Sequence, residues 1–213
     1  MRTVTVEEHF ASPGFLDGPG RDVKERAKTG GRFANLIERL TDIGAGRIAA
    51  MNEAGIDVQV LMLTAPGLEQ AETAEAIALA RESNDYLAAA VKQNPQRFAA
   101  LAALPLGAPD KAAAELESRV RRDGFKGAVV NGHNRGRYLD DKFYSPILQC
   151  AEQLDVPIYL HPTQPPPAVQ AAQFGGFAPP VNAAFAGPGW GWHIETALHI
   201  LRLCLGGVFD RYP

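Results

Sequence analysis

Three side chains in this sequence could share a metal ion. Glu7 and His9 lie two apart in the β-favouring run VTVEEHF. On a regular strand they leave from the same face. His161 closes a second run, VPIYLHP, in which apolar residues lead into the histidine and Pro162 stops the strand. One carboxylate and two imidazoles form a donor set suited to Zn²⁺, Mn²⁺ or Fe²⁺. The same residue types also occur as an ion pair at a sheet rim or as satisfied core groups, and the residues alone leave both readings open.

Bringing these side chains together requires parallel strands that end at one rim. Residues 3–8, 58–64, 98–104, 127–131 and 156–160 read as strands. Between them, residues 32–54, 69–93, 110–122 and 141–154 read as helices, the first broken at Gly44 and Gly46. Strands alternating with helices predict a parallel α/β sheet. No G-x-G-x-x-G follows the first strand and no P-loop is present, which disfavours the nucleotide-binding forms. Polar residues cluster at strand ends (His9, Thr64, Asn131 and His161), as expected of a (β/α)8 TIM-type barrel. An ordinary barrel has eight strands, and five are legible here. The chain therefore reads as a single incomplete barrel domain over 1–213. Residues 11–31 and 163–192, rich in Gly and Pro, read as long irregular loops on the active-site side.

Composition excludes several classes of function. With 21 basic and 24 acidic residues the net charge is −3, so no basic field points to nucleic acid or an anionic membrane. No run approaches the roughly 20 apolar residues of a membrane span, and the N-terminus lacks a signal-peptide core. A cytoplasmic protein is expected. Cys150 and Cys204 sit in apolar helical patterns and read as buried free thiols in a reducing compartment. Arg47 reads as a surface helix charge and His133 as a solvated turn residue. His193 and His199, six apart on one helix, do not share a face and read as structural. Asn131 is a candidate both to hydrogen-bond a ligand hydroxyl and to cap a loop.

The runs VTVEEHF, LTAPG at 63–67, GFKGAVVNG at 124–132, RYLDD at 137–141, YLHP and GWHIETALHILRLCLGGVFDRYP, in that order, resemble the amidohydrolase-2 branch of the amidohydrolase superfamily. Within it they are most similar to the γ-resorcylate, 2,3-dihydroxybenzoate and 5-carboxyvanillate decarboxylases. The resemblance covers essentially the whole chain. It implies metal-dependent, nonoxidative decarboxylation of a hydroxylated aromatic acid, with Mn²⁺ or Zn²⁺ as cofactor and a homodimer or homotetramer as the assembly. It makes Glu7, His9 and His161 the metal ligands and Glu8 a structural residue on the other face.

By the same resemblance Arg32 is a substrate-binding position, against the plainer reading of a solvated charge at a helix start. With an aromatic substrate in view, Trp190 and Trp192 become candidate walls for its ring, or parts of a subunit interface. The family's further ligand, an Asp of the eighth strand, and its catalytic His of the sixth are expected beyond Pro213. That reads the sequence as C-terminally truncated. The alternatives are a metal-dependent, lactonase-like hydrolase of the same superfamily and an inactive barrel fragment. The E-E-H opening favours the decarboxylase over relatives that begin with H-x-H.

Overall fold

The structure, a computed structural model, describes the backbone of residues 1–213 and every side chain but that of Arg32. In chain order the elements begin with β1 (Val4–Phe10), α1 (Pro13–Asp17), α2 (Arg21–Lys28), α3 (Leu36–Thr41), α4 (Ala45–Glu53), β2 (Val58–Leu63) and α5 (Thr73–Gln93). They continue with β3 (Phe98–Ala100), β4 (Ala102–Ala103), α6 (Pro109–Asp123), β5 (Ala128–Asn131), α7 (Ser145–Leu154) and β6 (Ile158–His161). The chain closes with α8 (Pro167–Gln173), α9 (Pro179–Ala184), α10 (Gly191–Leu205) and α11 (Val208–Arg211).

All strand pairs are parallel, in the orders β1-β2-β3 and β4-β5-β6. These two sheets are one arc. Leu101, between β3 and β4, donates its N–H to the Leu61 carbonyl, and Ala102 donates to Gly127. The expected third strand, 98–104, is thus one run that changes partners at Leu101. The result is the five-strand arc expected from the sequence.

The arc has two apolar faces, as a barrel wall must. Leu61, Leu63, Phe98, Ala100, Ala128 and Val130 pack against the helices in the large core. Met62, Leu101 and Val129, with half-buried Val60 and Tyr159, form a separate layer on the inner face. The two-residue period sorts them: Val60 and Met62 point in, Leu61 and Leu63 point out.

β1 breaks that period. Thr5 pairs with Gln59, but the next matched pair is Glu8 with Leu61. Three residues of β1 therefore span two of β2, which is a β-bulge. Glu7 takes up the extra residue with φ +63°, in the left-handed region that non-glycine residues rarely enter. Past the bulge His9 pairs with Met62 and so faces inward, while Glu8 pairs with Leu61 and faces the helices.

Several expectations need correction. Residues 11–31 fold into α1 and α2 rather than an irregular loop. Ser12 caps α1, accepting from Phe15 N–H at 3.4 Å, and its hydroxyl donates to Glu82 at 2.5 Å. These helices are so short, with Phe15, Leu16 and Val23 as their buried residues, that no apolar period shows in the sequence. Residues 163–192 likewise contain α8 and α9, pinned by Phe174 and Phe185 at 4.9 Å between ring centres.

Cys204 is exposed and Cys150 only half-buried. The apolar stripe of α10 that suggested burial (Ile194, Leu198, Leu201 and Leu205) is itself exposed. His133 is buried. Its Nδ1 accepts from Gly136 N–H at 2.9 Å, and its Nε2 faces the Gln164 carbonyl at 3.2 Å. His199 is buried and accepts from Leu139 N–H at 3.0 Å, while His193 is exposed.

Arg47 is not a free surface charge. Its guanidinium donates to the carbonyls of Asp42 (2.7 Å), Arg39 (2.7 Å) and His9 (2.8 Å). It therefore ties the end of β1 to the orphan carbonyls at the end of α3. Replacing it by Met keeps the length of the side chain and removes the donors. Arg47→Met is expected to lower unfolding free energy by about 1–3 kcal/mol. Urea titration would show this as a lower midpoint at unchanged slope, whereas an unshifted midpoint would refute the role given to Arg47.

Candidate metal centre

The end of β1 and the end of β6 converge at the mouth of the arc. Glu7, His9 and His161 each offer one ligand atom, and these atoms lie within 4.8 Å of one another. The Glu7 Oε1 to His161 Nε2 distance is 3.5 Å, and the two imidazole rings sit edge to face with centres 5.0 Å apart. Two donors bound to one ion at about 2 Å can be separated by roughly 4 Å, so small rotations close the set. Glu7 and His9 arrive together through the bulge, not through the regular alternation assumed from the sequence.

The protonation states suit a cation. Burial pushes the His9 imidazole down to about 4, and neighbouring His161 adds to the effect against the opposing pull of Glu7. Burial also lowers His161, against Glu7 and the Pro162 carbonyl. Both rings are neutral near pH 7, as ligation requires. His161 Nδ1 lies 2.8 Å from the Pro162 carbonyl, which fixes the proton there and leaves the Nε2 lone pair facing Glu7. His9 Nδ1 is buried and meets no partner among the described residues. An orphaned buried nitrogen beside a carboxylate and a second neutral imidazole fits a divalent ion.

Sequence reasoning missed Tyr159. It lies two residues before His161 on β6, hence on the same inner face, and that spacing was the signal. Its hydroxyl donates to Glu7 Oε2 at 2.5 Å. Burial, with Glu7 as acceptor, pushes the phenol up to about 12, so it remains a donor at neutral pH.

Of the other sequence-predicted residues, Asn131 lies beside the centre, its Cα paired with that of His161. Its side-chain oxygen is buried with no partner among the described residues. Trp190 does not face the centre. It is 51% exposed, and its ring lies against His193 at 6.2 Å. Trp190 immediately precedes the first residue of α10, with φ −159° and ψ −42°, outside the helix. Trp192 instead sets its ring 6.3 Å from His161, with a buried indole nitrogen that has no partner among the described residues. The side chain of Arg32 lies outside the described residues.

Comparison with known proteins shows the affinities of this chain. The amidohydrolase family matches residues 34–213. The decarboxylase orsB of Emericella nidulans is 39% identical over 213 residues, which is 99% of this chain and 62% of that protein. The γ-resorcylate decarboxylase of Polaromonas sp. is 39% identical over 217 residues, covering 99% of this chain and 63% of that one. Among solved structures, 5-carboxyvanillate decarboxylase from Novosphingobium aromaticivorans superposes with a TM-score of 0.89 at 33% identity, over 100% of this chain and 62% of that one. That crystal structure holds manganese and 4-hydroxy-3-methoxy-5-nitrobenzoic acid. The chain spans less than two thirds of the length of each. Its fold is the amidohydrolase TIM barrel, present in part.

A second buried carboxyl adjoins the centre. Glu69 was expected inside a helix, but α5 starts only at Thr73, and Glu69 sits in the loop after β2. Its Oε1 accepts from Asn131 N–H at 2.6 Å, while Oε2 finds no partner among the described residues. Gly67, at φ +65°, makes room for it, since a Cβ there would lie 2.2 Å from Oε2.

Burial raises the Glu69 carboxyl from 4.5 to about 7, against the opposing bond from Asn131. The folded state thus holds this proton more tightly than the unfolded chain. Its contribution to stability is full below pH 4.5 and is lost as pH rises to about 7, a decline of up to about 3 kcal/mol. Gln mimics the protonated acid, so Glu69→Gln is expected to remove that decline and to exceed the parent in stability at pH 8. Denaturation of both proteins across this range checks it; parallel curves would show that Glu69 is ionised in the fold.

Proposed function

The chain belongs to the amidohydrolase family, and on that footing we propose that the whole protein is a metal-dependent, nonoxidative decarboxylase of a hydroxylated aromatic carboxylic acid. The observation that carries the reading is the convergence of Glu7, His9 and His161 within 4.8 Å at the mouth of a parallel barrel arc. The names of its relatives, decarboxylases of aromatic acids, support the same chemistry.

In this reading Glu7 supplies negative charge, and neutral His9 and His161 supply lone pairs, to hold Mn²⁺ or Zn²⁺. Bound there, the ion acts as a Lewis acid and a template for the acid's oxygens. Decarboxylation breaks the bond between ring and carboxylate, releases CO₂ and leaves an electron pair on a ring carbon that must take up a proton. The resemblance assigns that proton to an Asp of a later strand. Asn131, whose amide oxygen has no partner among the described residues, is proposed to accept from a substrate hydroxyl. Of the two candidate walls, Trp192, with its ring 6.3 Å from that of His161, is proposed to line the substrate ring, and Arg32 stays a proposed contact.

Residues 163–192, with α8 and α9, are proposed to shield the mouth from water. The domain is read as a single incomplete barrel over 1–213, in a cytoplasmic homodimer or homotetramer. No helix among the described residues is long and apolar enough to cross a membrane.

The test is turnover by the full-length gene product. With Mn²⁺ it is expected to release CO₂ from a dihydroxybenzoate or a carboxylated vanillate. Chelation should abolish the reaction, and His161→Ala should lower kcat/KM by more than ~100-fold. Hydrolysis of lactones with no CO₂ released from any hydroxybenzoate would overturn the assignment.

A further inference from the structure

Glu7 is poorly suited, taken alone, to be a fixed ligand. Its side chain is 42% exposed, so water competes for both oxygens. Its backbone sits at φ +63° in the bulge, a conformation costing on the order of 1–3 kcal/mol for a non-glycine residue. A free glutamate also loses rotamer entropy of up to about 2 kcal/mol on being ordered. Something must hold this carboxylate where it is.

Tyr159 is built to do so. Its ring joins the inner layer formed by Val60, Met62, Leu101 and Val129, one step below the mouth. A tyrosine packed there has few rotamers left, so its hydroxyl is a stationary donor. That hydroxyl bonds Glu7 Oε2 at 2.5 Å, and the other oxygen, Oε1, is the one 3.5 Å from His161 Nε2.

We propose that Tyr159 is a positioning residue that occupies Oε2, so that Glu7 presents a single oxygen, Oε1, to the divalent ion. This rests on the reading of Glu7, His9 and His161 as a cation site. One-oxygen binding has a consequence for selectivity. Ca²⁺ favours six to eight oxygens, with carboxylates often bidentate, whereas smaller ions accept compact sets at about 2 Å. By blocking the second oxygen, Tyr159 disfavours Ca²⁺ against Mn²⁺.

The experiment is Mn²⁺ binding to the whole protein, followed by calorimetry and by the loss of the free-ion EPR signal, with Ca²⁺ as competitor. Tyr159→Phe keeps the ring in the inner layer and removes only the hydroxyl. It is expected to weaken Mn²⁺ binding 10- to 100-fold and to raise the effectiveness of Ca²⁺ as a competitor, with only a small fall in the urea midpoint because the bond is solvent-exposed. In a Glu7→Gln background the same substitution should change affinity by less than about twofold, because its effect passes through the carboxylate. A purely structural tyrosine would give equal losses in both backgrounds and leave the Mn²⁺ to Ca²⁺ ratio alone, and that result overturns the proposal. Normal Mn²⁺ affinity in Tyr159→Phe also overturns it, while leaving the cation site standing. Failure of the parent protein to bind Mn²⁺ would remove the site and the proposal together.

Discussion

One extra residue between Thr5 and Glu8 decides what the first strand shows to the inside of the arc. Thr5 pairs with Gln59, whose strand neighbours Leu61 and Leu63 face the helices. Continued alternation from Thr5 would turn Glu7 and His9 toward the helices and Glu8 toward the lumen. The bulge reverses this: His9 pairs with Met62 on the lumen side, and Glu7 swings to the mouth through its left-handed backbone. The 5.0 Å approach of the two imidazoles follows from that reversal.

The surrounding structure supports the strained strand from three directions. Arg47 holds the His9 carbonyl from the helix side. Tyr159 holds the Glu7 carboxylate from across the lumen. The inner layer of Met62, Leu101 and Val129 closes the space beneath. On the far side of the mouth Glu69 and Asn131 join the loop after β2 to the end of β5, and His133 reaches Gln164 at the start of the segment after β6. The loops around the mouth are thereby fixed to the ends of the strands that carry the polar residues, which is the arrangement a barrel active site needs.

Much of this was legible in the sequence because apolar runs and strand-end polar residues report directly on a parallel sheet. VQVLML reads as an apolar strand, and it is one, buried on both faces. The meeting of Glu7, His9 and His161 was also foreseeable, though for a reason that alternation misstates. A bulge has no signature in VTVEEHF, because the residue that adopts positive φ is a glutamate and not a glycine. Buried polar groups were the other blind spot. Arg47 and His133 look like solvated residues in sequence, and Glu69 like the start of a helix; all three become structural only when distant carbonyls and amides arrive beside them. Cys204 erred the other way, since the apolar stripe around it in α10 is left uncovered.

The proposed chemistry depends on a single ion bound by both edges of the arc at once. Crystals of the whole protein soaked in Mn²⁺ and measured at the manganese absorption edge would locate that ion by its anomalous scattering. One peak is expected, bonded at about 2 Å to Glu7 Oε1 and to a nitrogen of each of His9 and His161. A peak held by other residues, or a well-ordered mouth with Glu7 turned to solvent and no anomalous signal between the two imidazoles, would contradict it.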